Sequence, residues 1–340
     1  MIKPIHYVII GSGISGVTAA EVIRKHDRAG RITIISSECD FPYRRYALPK
    51  YVGGAIGEAK LLLHEKMYYA GKKLDLRLGH EVLSIDFDRK QIYFTHKEVL
   101  SYDRLLIASG SKANIPVYLE HLCCHIHTLR SLDDARALRE KLSRARDVLI
   151  IGGSLASLDL LNAIYRRKIE VTFLMKRESF WPLSLSDEDY DEIVKRLSQR
   201  PRLRLLVEDD LNEISRSGDR LIISTSGGRQ TASCLIVGSY GYTPDVSFLN
   251  ARKIEIDRGI LVDEHLETSI EGVWASGDCA QPYHRGMRCY YVNYGWPNAR
   301  VQGRIAGLNM AGKPTVYDTL KVNPFDIEGI EVGTPWWKRF

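Results

Sequence analysis

A chain of 340 residues, 44% hydrophobic and 26% charged, is long enough for two domains with cores of their own and needs no disulfide or metal staple. Lys and Arg number 48 against 42 Asp and Glu, a net charge of +6 spread along the chain with no basic block among aromatics; nucleic-acid binding is not expected, while an acidic protein partner or an anionic cofactor suits the charge. No apolar run approaches the ~20 residues of a membrane span, and the amino end runs into a strand without a signal peptide, so the cytoplasm is the expected compartment.

The first predicted unit is a strand at Tyr7–Ile10, a small-residue turn Gly11-Ser12-Gly13-Ile14-Ser15-Gly16, a helix to about His26 and a strand at Ile32–Ile35. Leu74–Leu78, Gly79–Asp86 and Gln91–Phe94 read as strands of an antiparallel meander, and Tyr102–Gly110 as a buried strand. Ser131 is placed to cap a helix reaching Leu142, with Asp133 and Asp134 in its first turn. The opening pattern then repeats: a strand at Val148–Ile151, a turn Gly152-Gly153-Ser154-Leu155-Ala156-Ser157, a helix to about Arg167 and a strand at Val171–Leu174. Ile222–Thr225 and Leu235–Gly238 predict two strands around a Gly-Gly turn, and Gly272–Asp278 a strand entering a tight turn. Continuous apolar runs fit strands buried on both faces, and two βαβ patterns imply two nucleotide-binding-type domains.

Gly11-x-Gly13-x-x-Gly16 has the strand-before, helix-after context that a pyrophosphate-binding turn requires. The first glycine permits the turn, the second lets backbone approach phosphate, and the third lets helix pack on strand; the helix N-terminus supplies N–H groups and partial positive charge. Gly11, Gly13, Ser15 and Gly16 form the cofactor-facing set. Glu38 follows at about the distance needed to hold a ribose hydroxyl, although Ser36 occupies the strict strand-end position. Six cysteines are present with no C-x-x-C and no zinc-finger spacing; each reads as a small buried hydrophobe, and no metal site is expected.

Joined to that turn, Pro42-Tyr43-Arg44-Arg45-Tyr46-Ala47-Leu48-Pro49-Lys50 resembles the P-Y-x-R-x-x-L-x-K run in the FAD domain of the pyridine nucleotide-disulfide oxidoreductase superfamily. The nearest likeness is to NADH:rubredoxin oxidoreductases, flavoprotein ferredoxin reductases and the N-terminal part of the large NADH nitrite reductase subunit. The resemblance continues through Ala108-Ser109-Gly110, Gly241-Tyr242-Thr243-Pro244, Ala275-Ser276-Gly277-Asp278, Trp296-Pro297-Asn298-Ala299 and Gln302–Gly307, and covers about residues 5–312. It implies an α/β fold of two Rossmann-like dinucleotide-binding domains, one inserted in the other, each with an antiparallel β-meander, plus a truncated C-terminal interface domain. The expected spans are 1–113 with 246–312 for FAD, 114–245 for a NAD(P)-like domain, and 313–340 for the interface remnant.

The resemblance also implies roles. Asp278, after Gly277, would bond the ribityl or pyrophosphate part of FAD, Lys50 would lie by flavin N5 as the catalytic cation, Arg45 near the phosphates or adenine, Trp296 near the isoalloxazine, and Val82 beside the adenine. Relatives that work through cysteine are excluded: there is no C-x-x-x-x-C after the first unit, and Tyr46 stands where a redox cysteine precedes A-L-P. In the second turn the aligned positions are Gly152, Ser154, Ser157 and Asp159; Met175 replaces the ribose carboxylate, and Lys176 and Arg177 follow, favouring NADPH over NADH if either binds. The expected function is electron transfer between NAD(P)H and a rubredoxin, a ferredoxin or a larger redox complex; an electron-relay subunit that does not itself use NAD(P)H stays open. The carboxyl end, with Trp336, Trp337, Lys338, Arg339 and Phe340, suggests a hetero-oligomer rather than a homodimer.

Overall fold

The computed structural model describes residues 3–180, 185–285, 288–318 and 325–332. The chain opens with β1 (His6–Ile10), α1 (Ile14–His26), β2 (Arg31–Ile35), α2 (Leu48–Val52) and α3 (Lys66–Gly71). β3 (Leu74–Arg77), β4 (Val82–Asp86), β5 (Gln91–Phe94), β6 (Val99–Ser101), β7 (Arg104–Ile107) and β8 (Ser111–Ala113) follow. Next come β9 (Ile126–His127), α4 (Leu132–Arg144), β10 (Asp147–Ile151), α5 (Leu155–Tyr165), β11 (Glu170–Met175), α6 (Asp187–Ser198) and β12 (Leu203–Val207). β13 (Leu211–Ser217), β14 (Arg220–Thr225), β15 (Gln230–Ser233), β16 (Ile236–Gly238) and β17 (Tyr242–Pro244) complete the middle of the chain. β18 (Ile260–Val262), β19 (Val273–Ala275), β20 (Ala280–His284), β21 (Cys289–Tyr290), α7 (Trp296–Met310), β22 (Phe325–Ile327) and β23 (Ile330–Val332) end it.

Two compact units result. One contains 1–44, 62–112 and 243–319, the other 45–61, 113–242 and 320–340. The first is built on a parallel sheet ordered β19-β7-β1-β2-β3, the second on a parallel sheet ordered β9-β16-β10-β11-β12. Four strands correspond, β7-β1-β2-β3 to β16-β10-β11-β12, with β10 in the place of β1; the fifth differs, since β19 follows the other strands of its sheet in the chain and β9 precedes those of its own. After a polar first residue, His6 or Asp147, both central strands are a run of buried residues because both faces are covered: Val8 and Ile9 are buried in the first, Leu149 and Ile150 in the second. Each unit carries a three-stranded antiparallel meander, β4-β5-β6 and β13-β14-β15 respectively.

Some elements differ from the sequence reading. Leu74–Arg77 is not a meander strand but the parallel edge strand β3, paired with β2 from Ile32 opposite Leu74. The Gly227-Gly228 turn joins β14 to β15, while Leu235–Gly238 contributes β16 to the parallel sheet. Residues 45–61, expected with the first domain, cluster with the second unit. The Arg139 guanidinium lies 4.5 Å over the Tyr51 ring, Arg136 pairs with Glu58 at 2.6 Å, and a Cβ on Gly53 would stand 2.7 Å from the Ala163 carbonyl oxygen. Ser131 caps α4 as anticipated, accepting from the Asp134 N–H at 3.0 Å while the Asp134 carboxylate accepts from the Ser131 N–H at 2.9 Å.

The β22–β23 hairpin belongs to the second unit, where Arg196 donates to the Glu328 carbonyl at 2.7 Å and Arg200 pairs with the Glu328 carboxylate. Trp336, Trp337, Lys338, Arg339 and Phe340 lie outside the described residues. Among the described residues no helix is long and apolar enough to cross a membrane.

Candidate functional site

At the end of β1 the chain turns through Gly11, whose φ of +112° is one that side-chain-bearing residues rarely adopt. A Cβ there would stand 2.0 Å from the Ala108 carbonyl oxygen, and a Cβ on Gly16 would stand 2.0 Å from that of Gly11. The fold itself therefore needs both glycines. Gly13 is different: beyond its chain neighbours, a Cβ on it would meet no described atom within 4 Å. Gly13 is the N-cap of α1, extended at φ −68° and ψ 178°, and no described side chain caps the helix. The first-turn N–H groups of α1 thus open onto a bare backbone cradle, which is the donor set a pyrophosphate takes. FAD fits this turn.

The Ala275-Ser276-Gly277-Asp278 segment meets the same turn. Ser15 and Ser276 share a buried hydroxyl–hydroxyl bond of 2.6 Å, and the Gly277 N–H donates to Gln302 Oε1 at 2.8 Å. Asp278 accepts from the Ser111 hydroxyl at 2.9 Å and from the Gly295 N–H at 3.2 Å. Gly295 is the N-cap of α7, and half-buried Trp296 is its first residue. Each Asp278 oxygen keeps acceptor capacity for a hydroxyl or a bridging water. Burial first, then the Asp278 charge, push the neighbouring Tyr294 up to about 12, so its phenol stays protonated. Ala108 is buried behind Gly11, the Ser109 hydroxyl donates to the Asp245 carbonyl at 2.7 Å, and the Gly110 carbonyl accepts from the Asp245 N–H at 3.0 Å.

At the end of β2, Ser36 Oγ accepts from the Ser12 hydroxyl at 3.0 Å and from the Glu38 N–H at 3.2 Å. The Glu38 carboxylate is fixed by the Tyr43 hydroxyl at 2.7 Å. Val82 opens β4 and packs partly buried against the first core.

Arg45 and Lys50 fall in the second unit. Arg45 donates to the Arg130 carbonyl at 2.5 Å. Lys50 is exposed on α2, and its charge reaches Asp159 on α5: burial pushes the Asp159 carboxyl up, and Lys50 opposes that rise.

The second glycine turn is built differently. Gly152 has φ +126° and would put a Cβ 2.2 Å from the Ser239 carbonyl oxygen, the counterpart of Gly11 against Ala108. Ser154 caps α5, its hydroxyl oxygen accepting from the Ser157 N–H at 3.3 Å and lying 3.0 Å from the Ser239 hydroxyl. Ser157 is fully buried and donates to the Ser154 carbonyl at 2.6 Å. A Cβ on Gly153 would come within 3.1 Å of the buried Phe180 ring. One N–H that a pyrophosphate would take is therefore already engaged, and the nicotinamide fit is poorer than the flavin fit. Met175 is buried at the end of β11, Lys176 pairs with Asp210 at 2.7 Å, and Arg177 pairs with Asp187, so the two cations expected at a 2′-phosphate are both in ion pairs.

Ser111, Ser239 and Phe180 were not singled out by sequence; Ser239 was accessible by symmetry, since it follows β16 as Ala108 follows β7. The cysteine reading is corrected: only Cys279 is buried and Cys234 is half-buried, while Cys39, Cys123, Cys124 and Cys289 are exposed, the middle two in a 3-10 helix at Val117–His125 and Cys289 on the short strand β21. Burial pushes the Cys279 thiol up, which removes it as a nucleophile beside Asp278.

Residues 5–303 match the model of the pyridine nucleotide-disulphide oxidoreductase family. The chain is 30% identical to the ferredoxin–NAD(+) reductase component of the biphenyl dioxygenase system of Paraburkholderia xenovorans (strain LB400), over 90% of this chain and 74% of that protein. It is 25% identical to the NADH-dependent phenylglyoxylate dehydrogenase subunit epsilon of Aromatoleum evansii, over 92% of this chain and 74% of that protein. The fold matches the crystal structure of the covalent putidaredoxin reductase–putidaredoxin complex with a TM-score of 0.85 at 23% identity, covering 96% of this chain and 80% of that one. This chain belongs to the pyridine nucleotide-disulphide oxidoreductase family, whose enzymes use FAD and NAD(P)H.

Proposed function

We propose that this flavoprotein passes electrons between NAD(P)H and a ferredoxin- or rubredoxin-type redox protein. The observation that carries the reading is the bare, uncapped cradle at Gly13, embedded in a chain that matches the family along most of its length. Gly11, Gly13, Ser15 and Gly16 hold the pyrophosphate of FAD, and Asp278 takes its ribityl or pyrophosphate side. When bound, FAD accepts a hydride from nicotinamide and releases single electrons to a partner. NADH is the proposed donor: the similar reductase component is named for NAD(+), the similar subunit epsilon for NADH, and Lys176 and Arg177 are already paired with acids. The net charge of +6 favours an acidic partner in a hetero-assembly, with association that weakens as salt rises, and the setting is cytoplasmic.

Anaerobic titration of the purified protein with NADH and NADPH, following flavin absorbance, tests this, with re-oxidation by ferredoxin or rubredoxin as the second stage. Bleaching by NADH and return of colour on adding the redox protein are expected. Protein that neither carries FAD nor takes it up overturns the cofactor assignment. Protein that holds FAD but is reduced by neither nucleotide is an electron-relay subunit instead.

A further inference from the structure

Away from both glycine turns, three side chains of the first unit converge. His80 follows β3, and the main chain there is pinned: the His80 N–H donates to the Ser36 carbonyl at 2.8 Å and the Gly79 N–H to the Glu38 carbonyl at 3.0 Å. His96 and Glu98 occupy the turn between β5 and β6, closed by the Phe94 N–H to the Glu98 carbonyl at 3.1 Å and the Lys97 N–H to the Phe94 carbonyl at 3.1 Å. One donor atom from each of His80, His96 and Glu98 lies within 4.8 Å of the other two; His96 is exposed and the others half-buried.

The orientation of these groups is built. His80 Nδ1 lies 2.9 Å from the Leu78 carbonyl oxygen; a carbonyl only accepts, so Nδ1 carries the proton and Nε2 presents its lone pair. That Nε2 points at Glu98 Oε2 from 3.8 Å, beyond hydrogen-bond length, while His96 Nε2 stands 3.1 Å from the same oxygen. The buried Phe94 ring stacks on His96 and meets His80 edge-on, steering both imidazoles. Arg77 takes the other Glu98 oxygen, as outer partners of ligating carboxylates do, and Asp75, 3.5 Å from the Arg77 guanidinium, offsets its charge. The hydrogen bond from His96, helped by Arg77, holds the Glu98 carboxyl below its usual range, so it is anionic at neutral pH.

The hydrogen bond between His96 and Glu98 accounts for those two groups but not for the aim of His80. We propose that His80, His96 and Glu98 form a divalent-cation site for zinc or a metal of similar softness, with water completing the shell. Two imidazoles and a carboxylate are a donor set zinc accepts; ligand bonds of about 2.0–2.2 Å put donor atoms roughly 3.3 Å apart, against 3.1 and 3.8 Å from the two imidazoles to Glu98 here. The cation replaces the proton that His96 shares with Glu98. It clips the β5–β6 turn to the segment hydrogen-bonded to Ser36 and Glu38, so binding stabilises this part of the fold.

The test uses the full chain, metal-stripped, with its exposed cysteines alkylated so that thiols do not compete. Zinc is titrated against a chromophoric chelator at neutral pH for the wild type, His80→Ala, His96→Ala and Glu98→Gln, and melting is followed with and without zinc. The wild type is expected to bind one zinc ion and melt several degrees higher with it. Each substitution is expected to weaken binding at least about 100-fold and abolish the shift. Because His96 is exposed in a turn, His96→Ala keeps the fold and serves as the reference variant. Alkylated wild type that binds no zinc, or variants that bind it as tightly, overturn the proposal.

Discussion

The two glycine turns share a strand order, a positive-φ first glycine and a following helix, yet they spend the helix N-terminus differently. In the first, the third glycine is pressed against the carbonyl of the first, and the second is left bare over uncapped N–H groups. In the second, a real side chain at Ser157 is buried without a clash, so the loop must hold the Gly152 carbonyl farther from its helix, and Ser154 satisfies the helix end from within. A fold can keep the topology of a nucleotide-binding domain while the chain itself takes over part of the ligand's work. What separates the two is the occupancy of the N-cap, not the sheet.

The largest expected effect is at Gly16. Gly16→Ala drives a Cβ into backbone that cannot relax, and should cost about 3 kcal/mol or more of unfolding free energy in urea titrations, against about 1 kcal/mol for Ser157→Ala. Equal losses would erase the distinction between the turns. Next, Gly13→Val should leave apo-protein melting almost unchanged, because its φ of −68° suits any residue and its surroundings are open, while FAD affinity falls roughly 100-fold, about 2.7 kcal/mol. Apo-protein destabilised as much as by Gly16→Ala would mean that the cradle serves the fold.

Smaller effects sharpen the second turn. Ser154→Gly should cost only a few tenths of a kcal/mol and tighten NADH binding several-fold, whereas Ser154→Ala should cost about 1 kcal/mol. Calorimetry showing unchanged affinity in Ser154→Gly would acquit the cap. Smallest is Lys50→Met: removing the Lys50 charge, which opposes the rise of the Asp159 pKa, should raise it further, read as a carboxyl carbon shift in NMR titration. An unmoved titration would show that the Lys50 charge does not reach α5.

The architecture was legible because it rests on runs of buried strand residues and on glycines whose spacing is dictated by phosphate-turn geometry. Ser131 was legible for the same local reason, since a capping box is written within four residues. Leu74–Arg77 was misread because an edge strand of a parallel sheet and a meander strand look alike when both alternate. The hydroxyl of Ser111 on Asp278, the ring of Phe180 by Gly153 and the aim of His80 toward Glu98 come from residues distant in sequence, where spacing says nothing.

The helices α1 and α7 lie so close that a Cβ on Gly303 would stand 2.2 Å from the Ser15 carbonyl oxygen and one on Gly307 2.8 Å from that of Ala19. Nearly the whole chain separates these partners, and β19, at the end of the first sheet, is also a late arrival. The parallel sheet of the second unit draws all its strands from residues 113–242. On the ribosome, the second unit can therefore close its sheet while α1 still waits for its seat. The sheet begun first is closed last, so the long-range contacts that slow folding concentrate in the first unit.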